Sequence, residues 1–269
     1  MDNKTFRKFA DLIYKRCGIC LSDNKMALLT ARTKKRMRIL NIFSYKDYLD
    51  YVTNKNNEAE ITNLVDAIST NVTSFFREAT HFTFMEEVFR AWLNTGQKKF
   101  RIWSAACSTG EEPYTIAITL KEIEEMNNFD IDVKILATDI STKVLETAKI
   151  GVYQKDKVKQ VSPLLVDKYF NRIHQSDKKF IYEIKDEIKK MITFKRLDIT
   201  KVPYPMKGPL DIVFCRNVMI YFDKTTKERL VNGIYDLLKL GGCLCVGHAE
   251  SLTGIDHKFK YVKPAVYQK

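Results

Sequence analysis

The sequence predicts an α/β domain built on a mostly parallel sheet and preceded by an all-helical unit. Three observations predict it. From residue 5 to about residue 85, apolar side chains recur at helical spacing. Beyond about residue 98, apolar runs of strand length alternate with amphipathic stretches. The 269 residues are 45% hydrophobic and 29% charged, which is core enough for one large domain or two ordinary ones and excludes intrinsic disorder.

In the helical unit, Phe6, Phe9, Ala10, Ile13 and Cys17 share one stripe, and Ile61, Leu64, Val65 and Ile68 share another. We expect this unit to span residues 1–85 and the sheet domain residues 86–269. Between the stripes lies a stretch with Arg32, Lys34, Lys35, Arg36 and Arg38 and no acid between Asp23 and Asp47, a one-sided basic surface. Residues 100–106, 133–139, 211–217 and 241–250 read as strands, and residues 114–126, 141–150 and 225–239 as helices. This alternation means βαβ units with helices on both faces. Residues 168–195 break the rhythm. Segments 178–184 and 191–197 stand too close together for a crossover helix, so an antiparallel insertion is expected there.

Forty-five Lys and Arg against 33 Asp and Glu give a net charge of +12, which favours an acidic partner: nucleic acid, an anionic membrane face or a carboxylate-rich protein surface. The charged start has no uninterrupted apolar run of about 7–15 residues, so no secretion signal is expected. No stretch approaches the roughly 18 apolar residues of a membrane span. A cytoplasmic protein is therefore expected, with its six cysteines reduced and no disulfide framework. Cys17 and Cys20 form a lone CxxC, read as buried thiols, and the four histidines show no metal spacing and read as structural or surface residues.

Ligands of such sheets bind beyond the carboxyl ends of the strands. There the first strand runs into Ala105-Ala106-Cys107-Ser108-Thr109-Gly110-Glu111-Glu112-Pro113-Tyr114. Ser108 or Thr109 suits a helix cap, and Pro113 suits a first turn. The turn is placed like a nucleotide-binding turn, yet GxGxxG is missing and two carboxylates stand where a pyrophosphate would sit. A cationic nucleoside fits instead. S-adenosylmethionine has no phosphate and carries a sulfonium and an ammonium that Glu111 or Glu112 could take. Helix-end electrostatics alone would also explain the pair. Asp139, just past the second strand, stands where a carboxylate accepts from ribose hydroxyls, or where it caps the next helix.

Three segments then carry a resemblance. Asn71-Val72-Thr73-Ser74-Phe75-Phe76-Arg77-Glu78, Cys107 to Tyr114, and Phe214-Cys215-Arg216-Asn217-Val218-Met219-Ile220-Tyr221-Phe222 resemble the signature segments of the chemotaxis receptor methyltransferases, the CheR family, in order and spacing along essentially the whole chain. The resemblance implies a Rossmann-like class I S-adenosylmethionine-dependent methyltransferase domain. It implies methyl transfer to glutamates on the cytoplasmic helices of chemoreceptors, giving glutamate methyl esters and S-adenosyl-L-homocysteine. It also implies that Asn71, Thr73 and Arg77 close over the cofactor, that Glu112 holds the methionine portion and Asp139 the ribose, and that Asp198 and Ile199 lie beside the adenine. Arg216 and Asn217 would line the cofactor, with Tyr221 near the methyl group. Val218, Ile220 and Phe222 are expected to be core.

A glutamate side chain, with a reference pKa of about 4.3, is already an anionic nucleophile at neutral pH, so no general base is required. Tyr221 is the first candidate to orient it and Arg77 the second. No metal and no covalent role for Cys215 is expected. The basic residues Arg32, Lys34, Lys35, Arg36 and Arg38 would dock the acidic receptor bundle, and a monomer is expected. Some family members hold a receptor tail peptide on the insertion. The stretch 169–184 lacks the glycine-containing turn of those members, so peptide-independent binding is expected. An RNA methyltransferase would call for an Asp/Asn-Pro-Pro-aromatic segment where Arg-Asn-Val-Met stands. A non-catalytic S-adenosylmethionine-binding adaptor is the other alternative.

Overall fold

Helices α1 (Asn3–Cys17), α2 (Met26–Ile39), α3 (Tyr45–Thr53) and α4 (Glu58–Ile68) open the computed structural model, which describes residues 1–69, 71–176 and 179–269. Asp2 caps α1 by accepting from the Thr5 backbone N–H, and Gly18 ends the helix at φ +70°, where a side chain would be strained. The predicted stripe of α1 buries Phe6, Phe9, Ile13 and Cys17 against Leu29, Met37, Tyr48 and the α4 stripe, a core separate from that of the sheet.

One basic residue departs from expectation. Arg36 turns inward and makes a two-point ion pair with the buried Glu60, at 3.0 and 2.6 Å, while the Tyr48 hydroxyl donates to the same carboxylate. A buried carboxylate without a cation would be costly, so this arginine holds α2 to α4 and leaves Arg32, Lys34, Lys35 and Arg38 as the exposed charges.

The sheet domain follows in chain order as α5 (Thr80–Asn94), β1 (Lys99–Ser104), α6 (Glu111–Asn127), β2 (Asp132–Asp139), α7 (Thr142–Ile150), β3 (Val152–Gln154), α8 (Lys155–Val158), α9 (Pro163–Tyr169), β4 (Phe170–Ser176), β5 (Lys179–Ile184), α10 (Asp186–Lys189), β6 (Ile192–Arg196), β7 (Leu210–Cys215), α11 (Lys224–Leu237), β8 (Leu238–Val246), β9 (Lys260–Lys263) and β10 (Val266–Gln268). The expected division at residue 85 passes through α5, whose Phe82, Met85, Phe89 and Leu93 all pack on the core with Phe100 and Ile102 of β1. The packing therefore puts the joint in the segment between α4 and α5.

The main sheet runs β6-β2-β1-β7-β8-β10-β9. Its first five strands are parallel, and β10 is antiparallel to both of its neighbours. Strand β7 buries all six of its residues, as a central strand covered on both faces must. A second sheet, β3-β5-β4, is antiparallel. It corrects one expectation, because residues 192–196 belong to the main sheet, parallel to β2 with Asp139 opposite Arg196. The crossover for that pairing is the whole stretch from α7 through the small sheet, which a local spacing argument cannot see. Two residues of the 169–184 stretch, Asp177 and Lys178, lie outside the described residues, so its turn is not characterised.

Candidate active site

The connections reverse between β1 and β7: the chain passes to β2 and β6 on one side, and to β8 on the other. That switch point opens a crevice beyond the strand tips. One cleft occupies it, and every residue singled out for the cofactor or the chemistry lines it. Asn71, Thr73 and Arg77 come from the joint, Glu112 from the start of α6 and Asp139 from the tip of β2. Asp198 and Ile199 follow β6, and Arg216, Asn217 and Tyr221 follow β7. Val218 and Phe222, expected to be plain core, also line it, and Ile220 is exposed.

Arg216 is the hub. Its side chain is 2% exposed and pairs with Glu112 at 2.9 Å and Glu78 at 3.0 Å. It also donates to the Arg77 backbone carbonyl and sits over the Phe82 ring. Glu112 accepts a further bond from the Ser104 hydroxyl at 2.6 Å. Burial works against the charge of Glu78, yet Arg216, the Asn217 amide and the His248 N–H hold its carboxyl below the usual range. Two carboxylates on one buried guanidinium leave a net negative charge at this wall of the cleft. Each Glu112 oxygen spends one acceptor position on these bonds, and a carboxylate oxygen offers two. Glu111 is different. It is fully buried, takes the Thr109 hydroxyl at 2.6 Å and Lys157 at 3.2 Å, and does not line the cleft. The adjacent acids thus take different surroundings, since successive residues of a helix project about 100° apart.

The turn before α6 differs from expectation. Gly110, at φ +96°, occupies the cap position with no side-chain bond, because Thr109 is committed to Glu111 and Ser108 donates to the Asn71 carbonyl. A Cβ on Gly110 would meet Ala148 at 2.9 Å. Asp139 caps no helix; Ser141 caps α7. The Asp139 carboxylate accepts from the Ser108 and Ser141 backbone N–H groups, both at 2.9 Å, and burial lifts its pKa against the pull of those bonds. Asp198 accepts from the Thr200 N–H and hydroxyl through one oxygen, while its other oxygen is buried and faces the exposed Lys201 amine at 3.4 Å in a loose ion pair.

The N-terminal helices roof the cleft through Cys17, Ile19, Cys20, Leu21, Lys25 and Leu28. The Cys20 N–H donates to the Tyr221 carbonyl at 2.7 Å, and the Tyr14 hydroxyl donates to Asp223 at 2.6 Å. Gly18 lies so close to Thr200 that a Cβ there would meet its methyl at 2.8 Å. Cys17 is buried, and burial pushes its thiol up to about 11, whereas Cys20 is exposed rather than buried. Cys215 is fully enclosed and its thiol is raised well above the ordinary range, unsuited to nucleophilic work. The histidines, far apart in sequence, are not scattered in space: His81 and His248 have ring centroids 4.9 Å apart beside Glu78, whose carboxylate is already paired with Arg216.

The donor set fits S-adenosylmethionine. A net negative wall at Glu112 suits an ammonium, the buried carboxylate at the tip of β2 suits a ribose, and Asp198 at the cleft lining, held only loosely by the exposed Lys201, keeps acceptor capacity for an amine donor. No glycine-rich phosphate cradle is present at the first turn. Fold and cleft together define a class I S-adenosylmethionine-dependent methyltransferase. Comparison with known proteins agrees: residues 71–267 match the family "CheR methyltransferase, SAM binding domain", and residues 4–69 match "CheR methyltransferase, all-alpha domain". The chain belongs to the CheR methyltransferase family. It is 38% identical over 263 residues to the chemotaxis protein methyltransferase of Borreliella burgdorferi, covering 96% of this chain and 91% of that protein. The corresponding proteins of Salmonella typhimurium and Escherichia coli are 38% and 35% identical, each over 97% of this chain and 88% and 89% of their own lengths.

Sequence reasoning missed Ser104, Glu78 and Glu250. Glu78 lay within a quoted segment. Ser104 and Glu250 sit in apolar runs that read as strands, and only the fold brings them against Glu112 and Asn217, which line the cleft.

Proposed function

We propose that this enzyme transfers the methyl group of S-adenosylmethionine to glutamate carboxylates on chemoreceptor cytoplasmic helices, forming methyl esters in chemotaxis adaptation. One observation carries this reading: the near-full-length likeness to chemotaxis protein methyltransferases goes with a cleft in which, among the described residues, no histidine stands as a base. A carboxylate substrate needs none.

The bound cofactor supplies an electrophilic methyl on sulfur. Glu112 holds its ammonium, Asp139 its ribose, and Asp198 and Ile199 flank its adenine. Asn71, Thr73 and Arg77 close the joint over it, and Arg216 and Asn217 complete the wall. Tyr221 orients the substrate carboxylate, with Arg77 as the second candidate. The remaining work is alignment and exclusion of water, which can supply roughly 7–11 kcal/mol. Arg32, Lys34, Lys35 and Arg38 dock the acidic receptor bundle, and Arg36 is reserved for Glu60. The working unit is a cytoplasmic monomer; no helix among the described residues is long and apolar enough to cross a membrane.

Incubation with labelled methyl donor and receptor fragments, followed by mild alkali, tests the reading. Esters release labelled methanol. Label retained on nucleic acid, or no label at all, contradicts it. Lys34→Glu/Lys35→Glu/Arg38→Glu should raise KM for receptor about tenfold at low salt, less at high salt, and leave S-adenosylhomocysteine affinity unchanged.

A further inference from the structure

The loop after β8 contains a buried acid that none of the roles above uses. Glu250 is 8% exposed, and its carboxylate accepts three backbone N–H groups. Oε2 takes those of Asn217 and Gly247, both at 2.7 Å, and Oε1 takes that of Ile220 at 3.2 Å. Two of the three belong to the turn that begins at Arg216 and ends on Tyr221. The bonds bracket that turn: one grips its start, the other the residue immediately before Tyr221.

The turn needs such a grip. Asn217 sits at φ +57°, in the left-handed region that asparagine tolerates better than other non-glycine residues but that still carries some strain. Such strain persists only where the surroundings over-determine it. The loop after β8 is pressed tightly against the turn, since a Cβ on Gly247 would meet the Asn217 side-chain amide at 2.5 Å and the Glu250 carboxylate at 2.8 Å. Only a glycine lets the two loops approach closely enough for one carboxylate to serve both. Charge-assisted bonds of this kind are about twice as strong as neutral ones. The rest of the turn is held by its own 3-10 bonds and by the Cys20 N–H on the Tyr221 carbonyl.

We propose that Glu250 is a positioning residue for methyl transfer: it fixes the backbone of residues 217–220 and thereby the place of the Tyr221 side chain in the cleft. This rests on the reading of Tyr221 given above. A glutamine at 250 keeps the shape, and its carbonyl oxygen can still take the Asn217 and Gly247 N–H groups, but its NH2 then faces the Ile220 N–H, so the bond next to Tyr221 is lost without emptying the site.

The experiment compares Glu250→Gln, Tyr221→Phe and the double variant on a receptor fragment, with enzyme concentration normalised by S-adenosylhomocysteine titration. For Glu250→Gln, kcat should fall roughly 30- to 100-fold, as a shift of about 1 Å at a reacting group does, while KM for receptor and affinity for S-adenosylhomocysteine stay within about threefold. The double variant should be no worse than Tyr221→Phe alone, because both act on one side chain. A purely structural glutamate would lower the thermal midpoint and leave kcat per binding-competent molecule unchanged. That result, or losses that multiply in the double variant, overturns the proposal. Gly247→Ala keeps the carboxylate and pushes the same turn, and should show the same kcat-selective loss. Wild-type kcat there also overturns it. If the unaltered enzyme forms no methyl ester, the functional reading falls instead.

Discussion

The floor and the roof of the cleft are built on different principles. The floor, at the strand tips, is a closed ionic and hydrogen-bonded set: Ser104, Glu112, Arg216, Glu78 and Asn217 bond one another, and Arg216 is 2% exposed. The roof hangs from few bonds, chiefly Cys20 to the Tyr221 carbonyl, Tyr14 to Asp223 and Ser108 to the Asn71 carbonyl. A pre-bonded floor holds charges in place before the cofactor arrives, which is what alignment chemistry requires. A lightly tied roof can part to admit and release a ligand without dismantling the chemistry beneath it. Damage to the floor should therefore reach both stability and activity, and damage to the roof mainly affinity.

The sharpest break of that contrast is Arg216→Met. It leaves Glu78 and Glu112 buried and unpaired, so denaturant unfolding should show a loss of about 3–5 kcal/mol, with S-adenosylhomocysteine affinity down at least about tenfold. A second floor effect is set by pH. Burial and the nearby Arg216 depress His81 from its ordinary value of 6.5 to about 4, so between those values the unfolded chain holds a proton that the folded chain does not. Stability is full above about pH 6.5 and declines as pH falls toward 4, by on the order of 2–3 kcal/mol. Thermal midpoints at pH 7 and 5 should show this, and His81→Gln should flatten that window. The roof gives the smallest effect. Gly18→Ala forces a side chain into φ +70° and against Thr200, which should cost about 1–2 kcal/mol and weaken S-adenosylhomocysteine severalfold by calorimetry, with kcat at saturation nearly unchanged.

Part of the floor was legible in the sequence because strand-tip positions follow from the alternating pattern: the Glu111-Glu112 pair opens the helix after the first strand and Asp139 ends the second, whereas Asp198, Arg216 and the choice of Glu112 over Glu111 rest on the family resemblance. The helical unit was legible for the same reason, its stripes being local. What was not legible depends on distant partners. Nothing local distinguishes Arg36, bound to Glu60, from the exposed Arg38, since both sit in one basic run. Residues 192–196 alternate like a hairpin strand and yet pair with β2, because pairing is decided by the whole sheet. His81 and His248, 167 positions apart, meet only when α5 packs beside the loop after β8. Glu250 looks like the end of an apolar run until the β7 turn is laid against it.

The central claim is that the cleft takes a sulfonium nucleoside, whose amino group Glu112 secures. Calorimetry on the purified protein and on Glu112→Gln tests it most directly. S-adenosylhomocysteine should bind the unaltered protein with micromolar affinity or better and lose at least about tenfold with Glu112→Gln, as removal of a charged hydrogen-bond partner predicts, while ATP and NAD give no heat. Equal affinity in the two proteins, or uptake of ATP or NAD in place of S-adenosylhomocysteine, would contradict it.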